Sequence, residues 1–146
     1  NYQKEGCEHR MDIVVDANIL FAILIKSGDT EKLLYQEDLH IYAPEFIFEE
    51  FMKYQDMIIK KTYRTKEEFE EIIQTIKKKI ILIPNEETEK FIENAKTISP
   101  DKKDADYFAI AIKINCALWS NDKQLKNQET ITVYNTSELR RFFYYD

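Results

Sequence analysis

Segments with the hydrophobic pattern of β-strands alternate with segments of helical periodicity along almost the whole chain. The strand pattern occurs at 13–15, 39–43, 80–83, 117–119 and 130–134. Helical patterns separate these segments, and parallel strands need such crossover connections. The order therefore predicts an α/β fold class, in which helices flank a parallel sheet.

Helices are predicted at 17–26, 31–36, 44–61, 66–76, 86–98, 103–115 and 137–144. Pro44 suits the first turn of a helix, because its missing N–H would have no partner there. Thr65 and Glu68 have the spacing of a capping box, which marks a helix start. These signals place helix starts next to predicted strand ends.

The length of 146 residues corresponds to one domain. Residues 1–10 are polar and lack periodicity, so we interpret them as a cloning remnant or disordered extension and 11–146 as a single domain. No apolar segment approaches the roughly 20 residues of a membrane span. With no visible export signal, we expect a cytoplasmic protein that does not bind membranes.

The composition excludes several catalytic chemistries, because the chain has only 2 Gly, 2 His and 2 Cys. Gly6 and Gly28 are too far apart for a phosphate-binding P-loop. Two histidines and two cysteines in these positions form neither an HExxH motif nor, by themselves, a structural zinc site. Carboxylates are therefore the expected carriers of any catalysis.

Glu50 breaks the amphipathic pattern of the predicted helix 44–61. On a helical wheel it falls inside the apolar arc, between Met57 and Tyr54, whereas Glu49 falls on the polar side. A carboxylate on a buried face is costly unless it is paired or bound to a metal. Glu50 is therefore a functional candidate and Glu49 is expected to lie at the surface.

Three aspartates occupy positions of similar interest. Asp104 falls on the core-facing side of helix 103–115, whereas Asp106 falls on its polar side. Asp16 and Asp122 each follow a predicted strand, where the sheets of α/β proteins bind ligands. Their grouping at one edge of the sheet is the first indication of a site.

Each of these acids also has a structural alternative. Asp16 has the position of a helix N-cap, and Asp104 that of a cap or a charge favoured by the helix dipole. Asp122 suits a turn. Glu50, in mid-helix, would instead form a core salt bridge with a lysine.

Taken in order, four segments of this sequence resemble the acidic motifs of PIN-domain ribonucleases. They are 14–18 (VVDAN), 43–51 (APEFIFEEF), 101–111 (DKKDADYFAIA) and 118–122 (LWSND). The resemblance covers about residues 12–145. It implies a PIN-like three-layer sandwich with a central, mostly parallel twisted sheet flanked by helices.

The resemblance also implies a metal-dependent endoribonuclease, which hydrolyses RNA phosphodiester bonds. By this resemblance, Mg²⁺ or Mn²⁺ would be bound mainly by Asp16, Glu50 and Asp104. Asp122 would be an additional ligand or a ligand of a second metal. Such cations prefer oxygen ligands and can activate water. Asn18 and Ser120 would orient ligands or waters around the metal, and Asp101 and Asp106 stay open as auxiliary acids.

The partners implied by the resemblance are an RNA substrate, an antitoxin protein and a second copy of the chain, since many PIN proteins resemble VapC-like toxins. The net charge of −6 is not typical of a nucleic-acid binder. However, residues 53–66 contain five basic residues and one acid. These basic residues either contact RNA or form an ordinary solvated helix face.

Two other functions remain open on the sequence. One is a catalytically weak PIN-like scaffold that binds RNA or protein. The other is a different acidic metal domain, such as a phosphatase or a receiver domain, although Ala17 stands where a receiver would have a second acid. The aromatic run 142–145 either docks a terminal helix on the core or exposes an apolar patch.

Overall fold

A parallel β-sheet lies at the centre of the computed structural model, which describes residues 10–26 and 28–144. Within these residues five strands have the order β3–β2–β1–β4–β5, and each neighbouring pair is parallel. The strands are β1 (Met11–Val15), β2 (Leu39–Pro44), β3 (Ile80–Ile83), β4 (Ala117–Trp119) and β5 (Val133–Tyr134). The predicted α/β class with a parallel sheet is confirmed.

Helices connect the strands and flank the sheet. They are α1 (Ala17–Ile25), α2 (Asp29–Leu34), α3 (Ile47–Lys53), α4 (Gln55–Thr62), α5 (Lys66–Lys79), α6 (Asn85–Ile98), α7 (Ala105–Ile114) and α8 (Thr136–Tyr144). Short 3-10 turns cover Lys102–Asp104 and Lys123–Lys126. Because every strand runs in the same direction, the residues that follow β1, β2 and β4 all lie at the carboxyl edge of the sheet.

The core is built around the central strand β1 and helix α7. Ile13, Val14 and Val15 have no exposed surface. Helix α7 contacts β1, β2 and β4 on one side and α6 on the other. This double contact explains why its sequence is apolar around most of its circumference.

The predicted helix 44–61 is wrong, because the chain forms two helices there. Pro44 ends strand β2, and Tyr54 separates α3 from α4. The N–H of Tyr54 donates to the carbonyl of Phe51 at 3.1 Å, a tight last turn that changes the helical phase. As a result Tyr54 and Met57, both expected in the apolar arc, are 47% exposed.

Other helix boundaries follow local signals more closely. The Thr65–Glu68 capping box is confirmed, with both reciprocal hydrogen bonds present at 3.0 and 2.8 Å. The predicted helix 103–115 begins instead as the 3-10 turn Lys102–Asp104 and becomes α-helical at Ala105. The predicted strand 130–134 is shorter, and only Val133–Tyr134 pairs with β4.

Both ends of the chain leave part of the predictions outside the described residues. Of residues 1–10, interpreted as a cloning remnant or disordered extension, only Arg10 is described. Of the aromatic run 142–145, Tyr145 lies outside the described residues. Within α8, Phe143 packs against the core while Phe142 and Tyr144 are exposed. Among the residues that the structure describes, no helix has both the length and the apolar character needed to cross a membrane.

Candidate carboxylate site

Asp16 lies directly after β1 and is buried, with 6% of its surface exposed. Its Oδ1 accepts a hydrogen bond from the N–H of Ile19 at 3.1 Å, so it caps helix α1. Burial raises the pKa of Asp16, and the charge of Asp122 raises it further, while hydrogen bonds from Ser120 and from the backbone of Ile19 and Asn18 oppose this. Asp16 is therefore a helix N-cap, as the alternative predicted. Its burial and the nearby charge of Asp122 nevertheless disfavour the ionised form of its carboxyl group.

Ser120 joins Asp16 to the residues that follow β4. It is 1% exposed, and its N–H donates to the carbonyl of Tyr134 at 3.0 Å. Its hydroxyl hydrogen-bonds Asp16 and also accepts from the N–H of Asp122 at 3.0 Å. Ser120 thus links two of the candidate acids at one place, and its role in orienting ligands or waters around a metal stays a prediction.

Asp122 is exposed and begins the 3-10 turn Lys123–Lys126. Its Oδ1 accepts from the N–H of Gln124 at 3.0 Å, which is the turn role expected from the sequence. This bond occupies one carboxylate oxygen of Asp122. The charge of Asp122 raises the pKa of both Asp16 and Asp104.

Asp104 ends the 3-10 turn that precedes α7, and within the described residues its side chain makes no capping hydrogen bond. Asp101 caps that turn instead, through the N–H of Lys103 at 3.0 Å. Burial, followed by the charges of Asp101, Asp16 and Asp122, raises the pKa of Asp104 to about 6 against the opposing Lys103. The capping alternative therefore fails for Asp104, whose carboxyl is surrounded by other acids.

Glu50 is half-exposed rather than buried, which corrects the position expected from the helical wheel. Its Oε1 lies 3.7 Å from Nζ of Lys53, and 40% of its side chain is exposed. The wheel assumed one continuous helix, whereas α3 ends at Lys53 and offers no apolar face beyond it. The contrast with Glu49 holds, because Glu49 is exposed. The salt-bridge alternative is realised, at the surface rather than in the core.

Tyr107 belongs to this region and was missed from the sequence. It is 6% exposed, and its ring packs edge-to-face against Phe46 with centroids 6.4 Å apart. Burial raises the pKa of Tyr107, and the charges of Asp16, Asp104 and Glu50 raise it further. The signal that could have found it is its spacing of three residues from Asp104, which places both on one helix face.

The remaining predicted residues have minor positions. Asn18 is exposed in the first turn of α1, and its backbone N–H, not its side chain, contacts Asp16. Asp106, expected at the surface, is half-buried. Burial raises its pKa and Lys96 opposes this. Asp101 acts on Asp104 by its charge.

These donors suit a hard divalent cation in their chemistry. All are oxygen ligands, and burial together with neighbouring acids raises the pKa of Asp16 and of Asp104, which disfavours their charged forms. Among the described residues, however, no three His, Cys, Asp or Glu side chains are arranged as a metal-binding group. Asp16, Asp104 and Asp122 therefore share an electrostatic environment without forming a preassembled coordination sphere.

The parallel sheet and the acids at its carboxyl edge define an α/β protein with an acidic edge site. Comparison with protein families is consistent with this, because the PIN domain profile matches residues 14–139. The chain therefore belongs to the PIN-domain family, whose members are nucleases.

One solved structure similar to this chain is the crystal structure of VapBC2 from Rickettsia felis bound to a DNA fragment from their promoter. The two share 15% sequence identity with a TM-score of 0.63, over 86% of this chain and 98% of that chain. The likeness establishes a common fold. No curated protein sequence matches the chain.

Proposed function

We propose that this protein is a Mg²⁺- or Mn²⁺-dependent endoribonuclease that hydrolyses RNA phosphodiester bonds at the carboxyl edge of its sheet. One observation carries the proposal. Asp16, Asp104 and Asp122 come from three separate parts of the chain, yet the charges of Asp16 and Asp122 both raise the pKa of Asp104. A cluster of uncompensated carboxylates costs stability, and a bound cation offsets that cost.

Asp16, Glu50 and Asp104 would hold the cation, with Asp122 as a further ligand. The cation would supply charge neutralisation and a polarised water molecule. Ser120 keeps Asp16 and the start of the Asp122 turn in register through its two hydrogen bonds.

Two carboxylates must change their state when the cation binds. Asp104, with a pKa of about 6, must release its proton, and Glu50 must leave Lys53. The change at Asp104 makes metal binding weaker at acidic pH, because protons compete with the cation for its carboxylate oxygens.

The test is cleavage of labelled single-stranded RNA in Mn²⁺ or Mg²⁺ by the wild type and by Asp16→Asn. Asparagine is also a good N-cap, so this change removes the charge and keeps the start of α1. The matched control is Asp56→Asn, at an exposed position on α4. We expect cleavage by the wild type and the control only. Equal cleavage by Asp16→Asn would indicate a contaminating nuclease and reject the assignment of Asp16.

We further propose that the protein is the toxin of a toxin–antitoxin pair, with an antitoxin and a second copy of itself as partners. The resemblance to VapC-like toxins and the fold shared with the VapBC2 structure support this. Induced expression of the wild type should arrest bacterial growth, whereas Asp16→Asn should not. Light scattering should give the mass of a dimer. Normal growth during wild-type expression would reject the toxin role.

A catalytically weak RNA-binding scaffold is the second candidate. It is favoured by the pairing of Glu50 with Lys53, which occupies one of the four proposed ligands. For a scaffold we expect RNA binding without cleavage, and no change in melting temperature when Mn²⁺ is added.

A further inference from the structure

A cleft of about 740 Å³ lies beside the candidate site and shares two residues with it. Its walls come from α2, from the segment after β4 and from the start of α8. They include Asp29, Ser120, Asp122, Lys123, Lys126 and Arg140. Every one of these side chains is polar or charged. Since Ser120 and Asp122 belong to both, the cleft opens directly from the acidic edge.

Two of the three cations in the cleft come from one 3-10 turn. Lys123 and Lys126 are three residues apart, and a 3-10 helix has three residues per turn, so they project to the same side about 6 Å apart along its axis. Nζ of Lys126 contacts Oε1 of Glu138 at 2.5 Å. Lys123 has no ion pair within the described part of the chain. Two ammonium groups therefore line the same wall.

Arg140 supplies the third cation from helix α8. Its Nη2 lies 3.3 Å from Oδ2 of Asp29. Its Nε is buried and has no hydrogen-bond partner among residues 10–26 and 28–144. The guanidinium therefore keeps donor capacity that its single ion pair does not use.

The cleft is held in shape by hydrogen bonds between its walls. Oδ1 of Asn121 accepts from the N–H of Thr136 at 2.8 Å, and the hydroxyl of Thr136 accepts from Nε1 of Trp119 at 3.1 Å. Asp122 caps the turn that carries both lysines. The lysine backbones are thus fixed relative to the acidic site, and binding them costs less conformational entropy than binding a mobile segment.

We propose that this cleft binds the sugar–phosphate backbone of single-stranded RNA next to the phosphate that is cleaved. The proposal rests on the proposed function, because it assigns the substrate path for the same site. Lys123, Lys126 and Arg140 contact phosphates, which are recognised mainly by lysine and arginine. Hydroxyl and amide groups of Ser137 and Asn135 suit the ribose 2′-hydroxyl, which both donates and accepts.

Two comparisons within the molecule favour this cleft as the RNA path. A second cleft of about 550 Å³ is lined by Glu86, Glu87, Glu89, Lys90 and Lys113, and its excess of acids would repel RNA. The basic segment 53–66 contributes none of the residues that follow β1 or β4 at the acidic edge, and none of the walls of the first cleft. The cleft of Lys123 instead combines cations with direct access to the acidic edge.

The test measures RNA binding apart from cleavage. In an Asp16→Asn background without divalent metal, the affinity for a fluorescent single-stranded RNA is measured by anisotropy over a series of salt concentrations. The double change Lys123→Gln and Lys126→Gln should weaken binding about tenfold and reduce the slope of log K against log salt by about 1.4, the value for two lost phosphate contacts on a single strand.

The matched control is the double change Lys90→Gln and Lys113→Gln in the second cleft. It removes the same charge, again from one lysine in an ion pair and one without an ion pair among the residues that the structure describes, since Lys113 contacts Glu87 at 3.8 Å and Lys90 has no such contact there. This control should lower the slope by much less. Melting temperatures of both variants should stay near that of the parent, because the four lysines lie outside the core.

The outcomes separate the cleft from the nuclease assignment. If the slope of log K against log salt is unchanged in the Lys123 and Lys126 variant, the proposal that the cleft binds RNA is rejected, even if the wild type cleaves RNA. Slope loss without cleavage by the wild type supports the cleft and rejects the nuclease. Equal affinity for duplex RNA, or lysine-dependent binding of poly-glutamate at comparable affinity, would reject a single-strand path.

Discussion

The candidate site has two halves that the chain holds in different ways. The strand-end half consists of Asp16, Ser120, Asp122 and Asp104, which follow β1 and β4 or precede α7. Its members are positioned by backbone hydrogen bonds and by each other. The helix half consists of Glu50 with Lys53 on the half-exposed helix α3.

The difference shows what positions a carboxylate. A sheet fixes the residues that follow its strands, because the backbone itself is paired. An acid on a short helix depends on side-chain partners, and Glu50 has a lysine as its partner. We therefore expect the backbone of the strand-end half to move less than that of the helix half when a cation binds.

The largest effect is expected from Asp104→Asn in the strand-end half. RNA cleavage in Mn²⁺ should fall on the order of 10²–10³-fold, the scale seen when one charge-stabilising group is removed from an active site. Initial rates with labelled RNA measure this, with Asp56→Asn as the control. Cleavage within a few-fold of the wild type would remove Asp104 from the site.

The next effect distinguishes adjacent acids in the helix half. Glu50→Ala should reduce cleavage by about 100-fold, whereas cleavage by Glu49→Ala should stay within about twofold of the wild type. Of these two acids, only Glu50 raises the pKa of Tyr107 through its charge, and Tyr107 lies beside the strand-end acids. The same RNA assay compares both variants. The reverse order would show that α3 presents the other acid to the substrate.

A smaller effect tests whether Lys53 competes with the cation. Lys53→Gln frees Glu50 from an exposed ion pair, which is worth at most about 1 kcal/mol. Affinity for Mn²⁺, measured by calorimetry, should therefore tighten by up to about fivefold. Lys60→Gln on α4 is the control and should change nothing. Weaker Mn²⁺ binding by Lys53→Gln would mean that the salt bridge orients Glu50 for the metal.

The smallest effect concerns stability and pH in the strand-end half. The pKa of Asp104 is about 6 in the fold, whereas an aspartate in an unfolded chain has its ordinary pKa of 3.8. The folded state therefore binds more protons, and this group makes stability fall as pH rises from about 3.8 to 6. Above that range its destabilising effect is fully present.

Asp104→Asn removes this effect, so it should raise the melting temperature in EDTA at pH 7.5 by roughly 2–4 °C. At pH 4.5 the gain should be smaller, since the wild-type carboxyl is then protonated in the fold. Thermal melts at the two pH values measure the difference. An equal gain at both would show that the charge of Asp104 is not the cause.

Local sequence signals determined most of the elements but only part of the site. The patterns of β1 to β4 and the Thr65–Glu68 capping box gave correct positions, because they depend on neighbouring residues, whereas β5 is shorter than its pattern. The break at Tyr54 had no such signal, and it shifted the helical phase on which the burial of Glu50 was predicted. Tyr107 was missed because its proximity to Glu50 depends on how α7 packs relative to α3.

The sequence by itself determined the α/β order, the exclusion of several Gly-, His- and Cys-based chemistries, and the acids at strand ends. Periodicity, composition and turn residues depend only on nearby positions in the chain, so they can be interpreted without knowledge of the tertiary structure. The tertiary structure decided that Asp104 lies among other acids, that Glu50 pairs with Lys53, and that a cationic cleft opens beside Asp122. Burial and charge depend on residues that are distant along the chain, so only the packed sheet and helices could decide them.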